Sequence, residues 1–145
     1  DSYGEPQRFD MAAVMKESYI NADIIDSSAA DVISAGDFEK KRVCTQFPYG
    51  WECTKGEGNL EIKAEFQNLG ILYFATTNGL GGQYDVYVDD EYAGTINADF
   101  SGGWGNAIKA KQLYTSDSLA EHTITIKKSP DSTGDLFDLL GLLVS

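Results

Sequence analysis

Leu60-Glu61-Ile62-Lys63-Ala64-Glu65-Phe66-Gln67 alternates apolar with charged or polar side chains without a break. Successive side chains of a β-strand point to opposite faces, so this stretch turns Leu60, Ile62, Ala64 and Phe66 into a core and Glu61, Lys63, Glu65 and Gln67 into water. On the C-terminal side, Asn68 to Gly70 reads as a turn. Ile71-Leu72-Tyr73-Phe74-Ala75 is then continuously apolar, as expected of a central strand covered on both sides. A flexible loop, Thr77 to Gly82, leads to a second alternating strand with Tyr84, Val86 and Val88 on one face and Gln83, Asp85 and Tyr87 on the other. Asp89-Asp90 reverses the chain into Tyr92 to Asn97 as a hairpin.

Further along, the Gly-rich loop Asp99 to Asn106 precedes a strand over Ile108 to Tyr114, and Thr115 to Leu119 reads as a turn. His122 to Lys127 is another strand and Leu136 to Val144 closes the domain. Roughly eight or nine strands at about 10–15-residue intervals, without interposed helices, describe an all-β, antiparallel two-sheet β-sandwich of the jelly-roll kind. A parallel sheet would need helical crossovers, and the sequence contains none. Residues 1–36 lack this alternation until Val32. They read as an N-terminal linker or peripheral segment, opening on Asp1-Ser2-Tyr3-Gly4-Glu5-Pro6, with a short amphipathic helix over Met11 to Ile20 as one form and a strip laid over the sandwich as the other. The β-sandwich domain is expected over 37–145.

Composition narrows the function. With 145 residues, 42% of them hydrophobic, the chain can bury a core of its own without metal or multiple disulfides. Eleven basic against 23 acidic residues leave a net charge of -12, which repels a phosphate backbone and an anionic membrane surface alike, so neither nucleic acid nor membrane is expected as a partner. Cys44 and Cys53 flank Phe47-Pro48-Tyr49-Gly50, whose Pro and Gly suit a type I turn. With Pro48 and Tyr49 at its centre, Cys44 stands opposite Cys53, close enough for a disulfide; two reduced, buried thiols are the alternative. A bridge would imply an oxidising, extracellular setting.

Catalytic signatures are missing. The sequence contains no Gly-x-Ser-x-Gly, no His-Glu-x-x-His, no phosphate loop and no dinucleotide fingerprint. The single histidine, His122, shares the phase of Ile124 and Ile126 and is expected at the core edge of its strand. The many carboxylates could supply a glycosidase pair, but so short a chain has little left over for a cleft around one, and no enzymatic activity is expected. No cofactor is expected beyond a structural calcium at Asp85, Asp89, Asp90 and Asp99, which is weighed against ordinary solvated turn aspartates.

The loop aromatics are the sharper clue. Trp104 stands between Gly103 and Gly105, a poor way to fill a core, and is expected to be exposed. Tyr49 and Trp51 lie at the Cys44–Cys53 turn. Sugar rings stack on aromatic planes and their hydroxyls pair with amides and carboxylates, so Trp104, Trp51 and Tyr49 are candidate stacking platforms, with Asn106, Tyr92 and Tyr87 as polar or edge contacts. The competing reading packs Trp51 between sheets.

The segments Leu60 to Phe66, Tyr84-Asp85-Val86-Tyr87-Val88-Asp89-Asp90, Leu119 to Ile126 and Leu136 to Leu142 resemble the jelly-roll modules of bacterial plant-cell-wall-degrading enzymes. They are similar to noncatalytic carbohydrate-binding modules and to the β-sandwich of family 2 carbohydrate esterases, over roughly the last three fifths of the chain. No esterase Gly-Asp-Ser block follows. The resemblance implies a secreted, extracellular, cellulosomal-type module tethered to a catalytic partner in a longer parent chain. It implies binding to a plant cell-wall β-polysaccharide such as β-glucan, xyloglucan, mannan or cellulose. A structural or protein-interaction module packed on a catalytic domain is the alternative.

Overall fold

The computed structural model describes residues 23–42, 48–100 and 107–145. Among them the chain forms β1 (Asp23–Ile25), β2 (Asp31–Ser34), β3 (Glu39–Lys41), β4 (Gly50–Cys53), β5 (Leu60–Ala75), β6 (Gln83–Val88), β7 (Glu91–Asn97), β8 (Ala107–Lys128) and β9 (Phe137–Val144). Every strand pairing is antiparallel. The all-β antiparallel class is therefore what the residues build. No helix among the described residues is long and apolar enough to cross a membrane.

Hydrogen bonds run through one sheet in the order β3-β4-β9-β5-β8-β6-β7, with β1 added to β9 and β2 to β5. In place of two separate sheets, a single sheet curls over its own core. Tyr84 of β6 stacks on Phe137 of β9 with ring centroids 4.7 Å apart, although β5 and β8 lie between their strands in the ladder. Phe38 closes the same cluster edge-on to both rings. Leu60, Ile62, Phe66, Val86, Ile124 and Ile126 from one half of the sheet thus share a core with Ile71, Tyr73, Leu139 and Leu142 from the other.

The curl is made by β5 and β8, which both run through the places read as turns. Phe66 pairs with Ala120 and Asn68 with Thr115, so 116–119 bulge out of β8 without reversing it. Gln67 Nε2 donates to the Ser116 carbonyl at 3.0 Å, and Ser116 Oγ to the Ser118 carbonyl at 2.8 Å, satisfying the bulge internally. A bulge bends a strand and raises its twist, which lets two long strands serve both halves of the fold. Ile71 to Ala75 is indeed central, flanked by β8 and β9 and buried throughout.

Two further boundaries move. β1 and β2 are hydrogen-bonded to β9 and β5, so the sheet begins by Asp23 and the 36/37 boundary falls inside it. Gly81 and Gly82, read as part of a flexible loop, are buried. A Cβ on Gly81 would sit 2.2 Å from the Ala98 carbonyl oxygen, so glycine is needed there for the close approach of two backbones.

Candidate functional site

The β6–β7 hairpin carries an ordered group of side chains around the exposed Tyr92. Asp89 and Asp90 have φ of 52° and 71°, the left-handed pair of a two-residue turn whose twist matches its strands. Asp89 fastens that turn to β8. One carboxylate oxygen accepts from the Thr123 amide at 2.9 Å, the other meets His122 Nδ1 at 2.5 Å, and the Asp89 amide donates to the Thr123 carbonyl at 2.8 Å. The His122 hydrogen bond, then that of the Thr123 amide, hold the Asp89 carboxyl below its ordinary pKa.

With Tyr84, Val86 and Val88 committed to the core, the pleat turns Gln83, Asp85 and Tyr87 to the other face, where Gln83 and Tyr87 are half-buried and Asp85 is buried. A bulge between Val86 and Tyr87 sets Tyr92 opposite Tyr87, and the two rings meet edge-to-face at 5.8 Å. Lys127 Nζ lies 4.7 Å from the Tyr87 ring centre. Tyr92 is 61% exposed, yet its hydroxyl is 2.6 Å from Thr95 Oγ1, which donates in turn to Asp85 Oδ1 at 2.7 Å. Because the Thr95 proton goes to the carboxylate, the Tyr92 hydroxyl donates to Thr95. An exposed aromatic ring is thereby held in one orientation. Gln83 Nε2 donates to Asn97 Oδ1 at 2.7 Å and adds an amide pair to the same face.

The remaining sequence-derived candidates scatter. Trp51 is fully buried: β4 pairs Trp51 with Leu139, placing the indole on the core side, so the stacking role proposed for it is corrected to core packing. Tyr49 is 54% exposed but sits beside β4, at the other end of the strand order from Tyr92. Trp104 and Asn106 lie outside the described residues. Cys44 does too, while Cys53 is a free, buried thiol. The Cys44–Cys53 disulfide reading thus falls outside the described residues; next to them, β3 and β4 pair Lys41 with Gly50 and Glu39 with Glu52. The Cys53 Sγ lies 3.1 Å from Asp37 Oδ1 and 3.2 Å from the Tyr84 hydroxyl, and burial pushes its pKa up.

No group of three or more His, Cys, Asp or Glu side chains that could hold a metal occurs among the described residues. Of the four aspartates weighed for calcium, Asp85 is spent on Thr95 and Asp89 on His122 and Thr123. His122 is packed between Phe66 and Tyr114, at 4.7 and 5.3 Å, and its buried Nε2 has no hydrogen-bond partner among the described residues, a structural position and not that of a base facing a nucleophile.

Sequence reasoning missed a carboxyl pair. Glu52 of β4 stands directly opposite Asp138 of β9, and Lys41 Nζ reaches Glu52 Oε1 at 2.8 Å. Burial first, then the hydrogen bond and charge of Glu52, push Asp138 up to about 8. Glu52 moves the other way despite its own desolvation, because Asp138 and Lys41 both hydrogen-bond to it. The two therefore share one proton, which Asp138 keeps. Carboxyls in direct hydrogen-bond contact leave no room for a glycosidic bond, which needs them about 5 Å or more apart. Its signal was an acidic residue inside the apolar run Phe137 to Val144.

No protein-family profile matches the chain, and no curated protein matches its sequence. Solved structures do match in shape. A two-domain esterase active on acetylated mannans superposes with a TM-score of 0.72 at 17% identity, covering 90% of this chain and 37% of the esterase. A family two carbohydrate esterase from Cellvibrio japonicus gives 0.60 at 14% identity, covering 86% and 33%. The CBM36-1 domain of a multidomain xylanase from the hindgut metagenome of Trinervitermes trinervoides gives 0.55 at 13% identity, covering 86% of this chain and 97% of that domain. The chain spans little more than a third of the length of the esterases and nearly all of the xylanase domain. At these identities the likeness is one of fold: the curled antiparallel sheet described above also occurs in carbohydrate-active enzymes, as the resemblance of Leu60 to Phe66 and its companion strands implies.

Proposed function

We propose that the domain is a non-catalytic carbohydrate-binding module that recognises a plant cell-wall β-polysaccharide and holds an appended enzyme close to it, with the two halves of the curled sheet serving as the layers of a jelly-roll sandwich. The observation that carries this reading is the oriented Tyr87–Tyr92 pair on the outer hairpin face, edged by Thr95, Asp85, Gln83, Asn97 and Lys127. Flat rings offer the C–H faces of a pyranose a stacking surface, and the neighbouring amides can exchange hydrogen bonds with its hydroxyls. Likeness to a domain of a xylanase and to parts of larger esterases supports a module joined to a catalytic partner. A secreted, extracellular setting belongs to the same proposal. Trp104 and Asn106 are carried forward as further contacts.

Affinity electrophoresis of the native protein against soluble β-glucan, xyloglucan and galactomannan tests it. At least one polysaccharide should retard migration, and Tyr92→Ala should reduce that retardation about tenfold, the size expected of losing one aromatic stacking contact of ~1–1.5 kcal/mol. Migration unaffected by every polysaccharide, with tight association to a neighbouring catalytic domain, would instead support a structural packing module. Release of acetate or reducing sugar by the purified chain would contradict the non-catalytic assignment.

A further inference from the structure

A cleft lies at the other end of the strand order from Tyr92, and its cations run against the charge of the rest of the molecule. It occupies about 390 Å³ beside β3 and is lined by Ser27, Ser28, Pro48 and Tyr49 together with Lys40, Lys41 and Arg42. The chain as a whole carries a net charge of -12, and the two cations Lys40 and Arg42, two positions apart and so on one side of the chain, both line this cleft. Lys41 is neutralised by Glu52 at 2.8 Å. Lys40 and Arg42 are exposed and pair with no carboxylate among the described residues. Asp26, next to Ser27 and Ser28, keeps its charge but is oriented locally, accepting from the Ser28 amide at 3.0 Å and from the Ser28 hydroxyl at 2.5 Å.

The wall opposite these cations is built, not incidental. The Ser27 amide donates to the Tyr49 carbonyl at 2.8 Å, tying the segment after β1 to the approach to β4. Tyr49, with 54% of its surface open, is thus held at the cleft while its ring stays accessible. A guanidinium and an ammonium select a carboxylate, and an exposed ring beside them offers a stacking surface to a sugar. The volume lies at the low end of the ~300–1,000 Å³ of small-ligand sites, which suits a side branch better than a long run of backbone.

We propose that this cleft is a second subsite of the module that takes the carboxylated sugar of an acidic plant polysaccharide, a uronate branch on a β-linked backbone, with Arg42 and Lys40 on the carboxylate and Tyr49 under the ring. The inference rests on the carbohydrate-binding reading above and adds to it a preference for charge. It also gives Tyr49 a role separate from the Tyr87–Tyr92 face.

Calorimetry of the whole chain against a glucuronate-substituted xylan, the same xylan after carboxyl reduction, and a neutral β-glucan tests it. The substituted xylan should bind roughly tenfold more tightly than its reduced form, the scale of two solvent-exposed charge contacts. The preference should shrink as salt is raised. In the Lys40→Gln/Arg42→Gln variant, and more weakly in Arg42→Gln alone, it should vanish while affinity for the reduced xylan and the neutral glucan stays unchanged. Equal affinity for the two xylans, or a preference that survives both substitutions, would overturn the subsite and leave the module reading standing. Competition by inorganic phosphate as strong as by free glucuronate would mark a general anion site and overturn the sugar assignment. Binding to none of the three polymers would remove the module reading and the subsite together.

Discussion

Asp138 makes the stability of this fold depend on pH in a direction that can be worked out in advance. Its side chain is 95% buried, since its relative exposure is 5%, and its carboxyl sits against Glu52, which is itself held by Lys41 and faces Glu39 across β3 and β4. In the folded protein it releases its proton at about 8, against an ordinary 3.8. Between those values the folded state holds a proton that the unfolded state has lost, so stability falls as pH rises through this window. One proton corresponds to about 1.4 kcal/mol per pH unit, or about 3 kcal/mol between pH 5 and 7. Glu52 does not blunt this trend. Its pKa is lowered from 4.5, so the stability it contributes is present above that value and lost only at lower pH, as its folded pKa is passed.

Self-repulsion of a chain with net charge -12 also favours lower pH, so the test must be differential. Asp138→Asn keeps the shape and a donor toward Glu52 but has nothing to ionise. In urea titrations, stability of the variant minus that of the native protein should rise by about 3 kcal/mol from pH 5 to pH 7 and level off above pH 8. Parallel curves for the two proteins would refute the shared proton.

Trp51→Ala should cost about 3–5 kcal/mol in urea unfolding, the range for deleting a large core aromatic, whereas Trp51→Phe should stay folded and bind polysaccharide as the native chain does. A folded Trp51→Phe with tenfold weaker binding would return that indole to the ligand. Cys53 should resist iodoacetamide in the native protein and react on unfolding, followed by peptide mass mapping, because burial both shields the thiol and raises its pKa. Recovery of a Cys44–Cys53 disulfide from the native protein would contradict the free thiol.

Alternation made the strands legible wherever one face met water. Leu60 to Phe66 and Tyr84 to Val88 lie as their patterns require, and the outward phase of Tyr87 followed from the inward phase of Val86. Continuity was harder to read. Asn68 to Gly70 and Thr115 to Leu119 carry residues that serve turns and bulges equally well, and only the register with the partner strand separates a reversal from a bend. The side on which Trp51 falls is likewise set by its pairing with Leu139, a partner far away in sequence. For the same reason the Glu52–Asp138 pair was only half legible: Asp138 stands out as an acid in an apolar run, but its partner is set by two distant strands. Asp85 was visible as an acid at a hairpin, but its role in orienting Tyr92 through Thr95 exists only once β6 and β7 are in register.

The central claim is that sugar binds on the outer face of the β6–β7 hairpin. Amide NMR titration of the isotopically labelled chain with a β-1,4-linked hexasaccharide tests it most directly. Shifts should concentrate on 83–97 and on the adjoining β8 residues around Lys127, and the Tyr92→Ala variant should lose them while keeping its dispersed spectrum. Saturable shifts confined to other parts of the fold, with this hairpin silent, would contradict it.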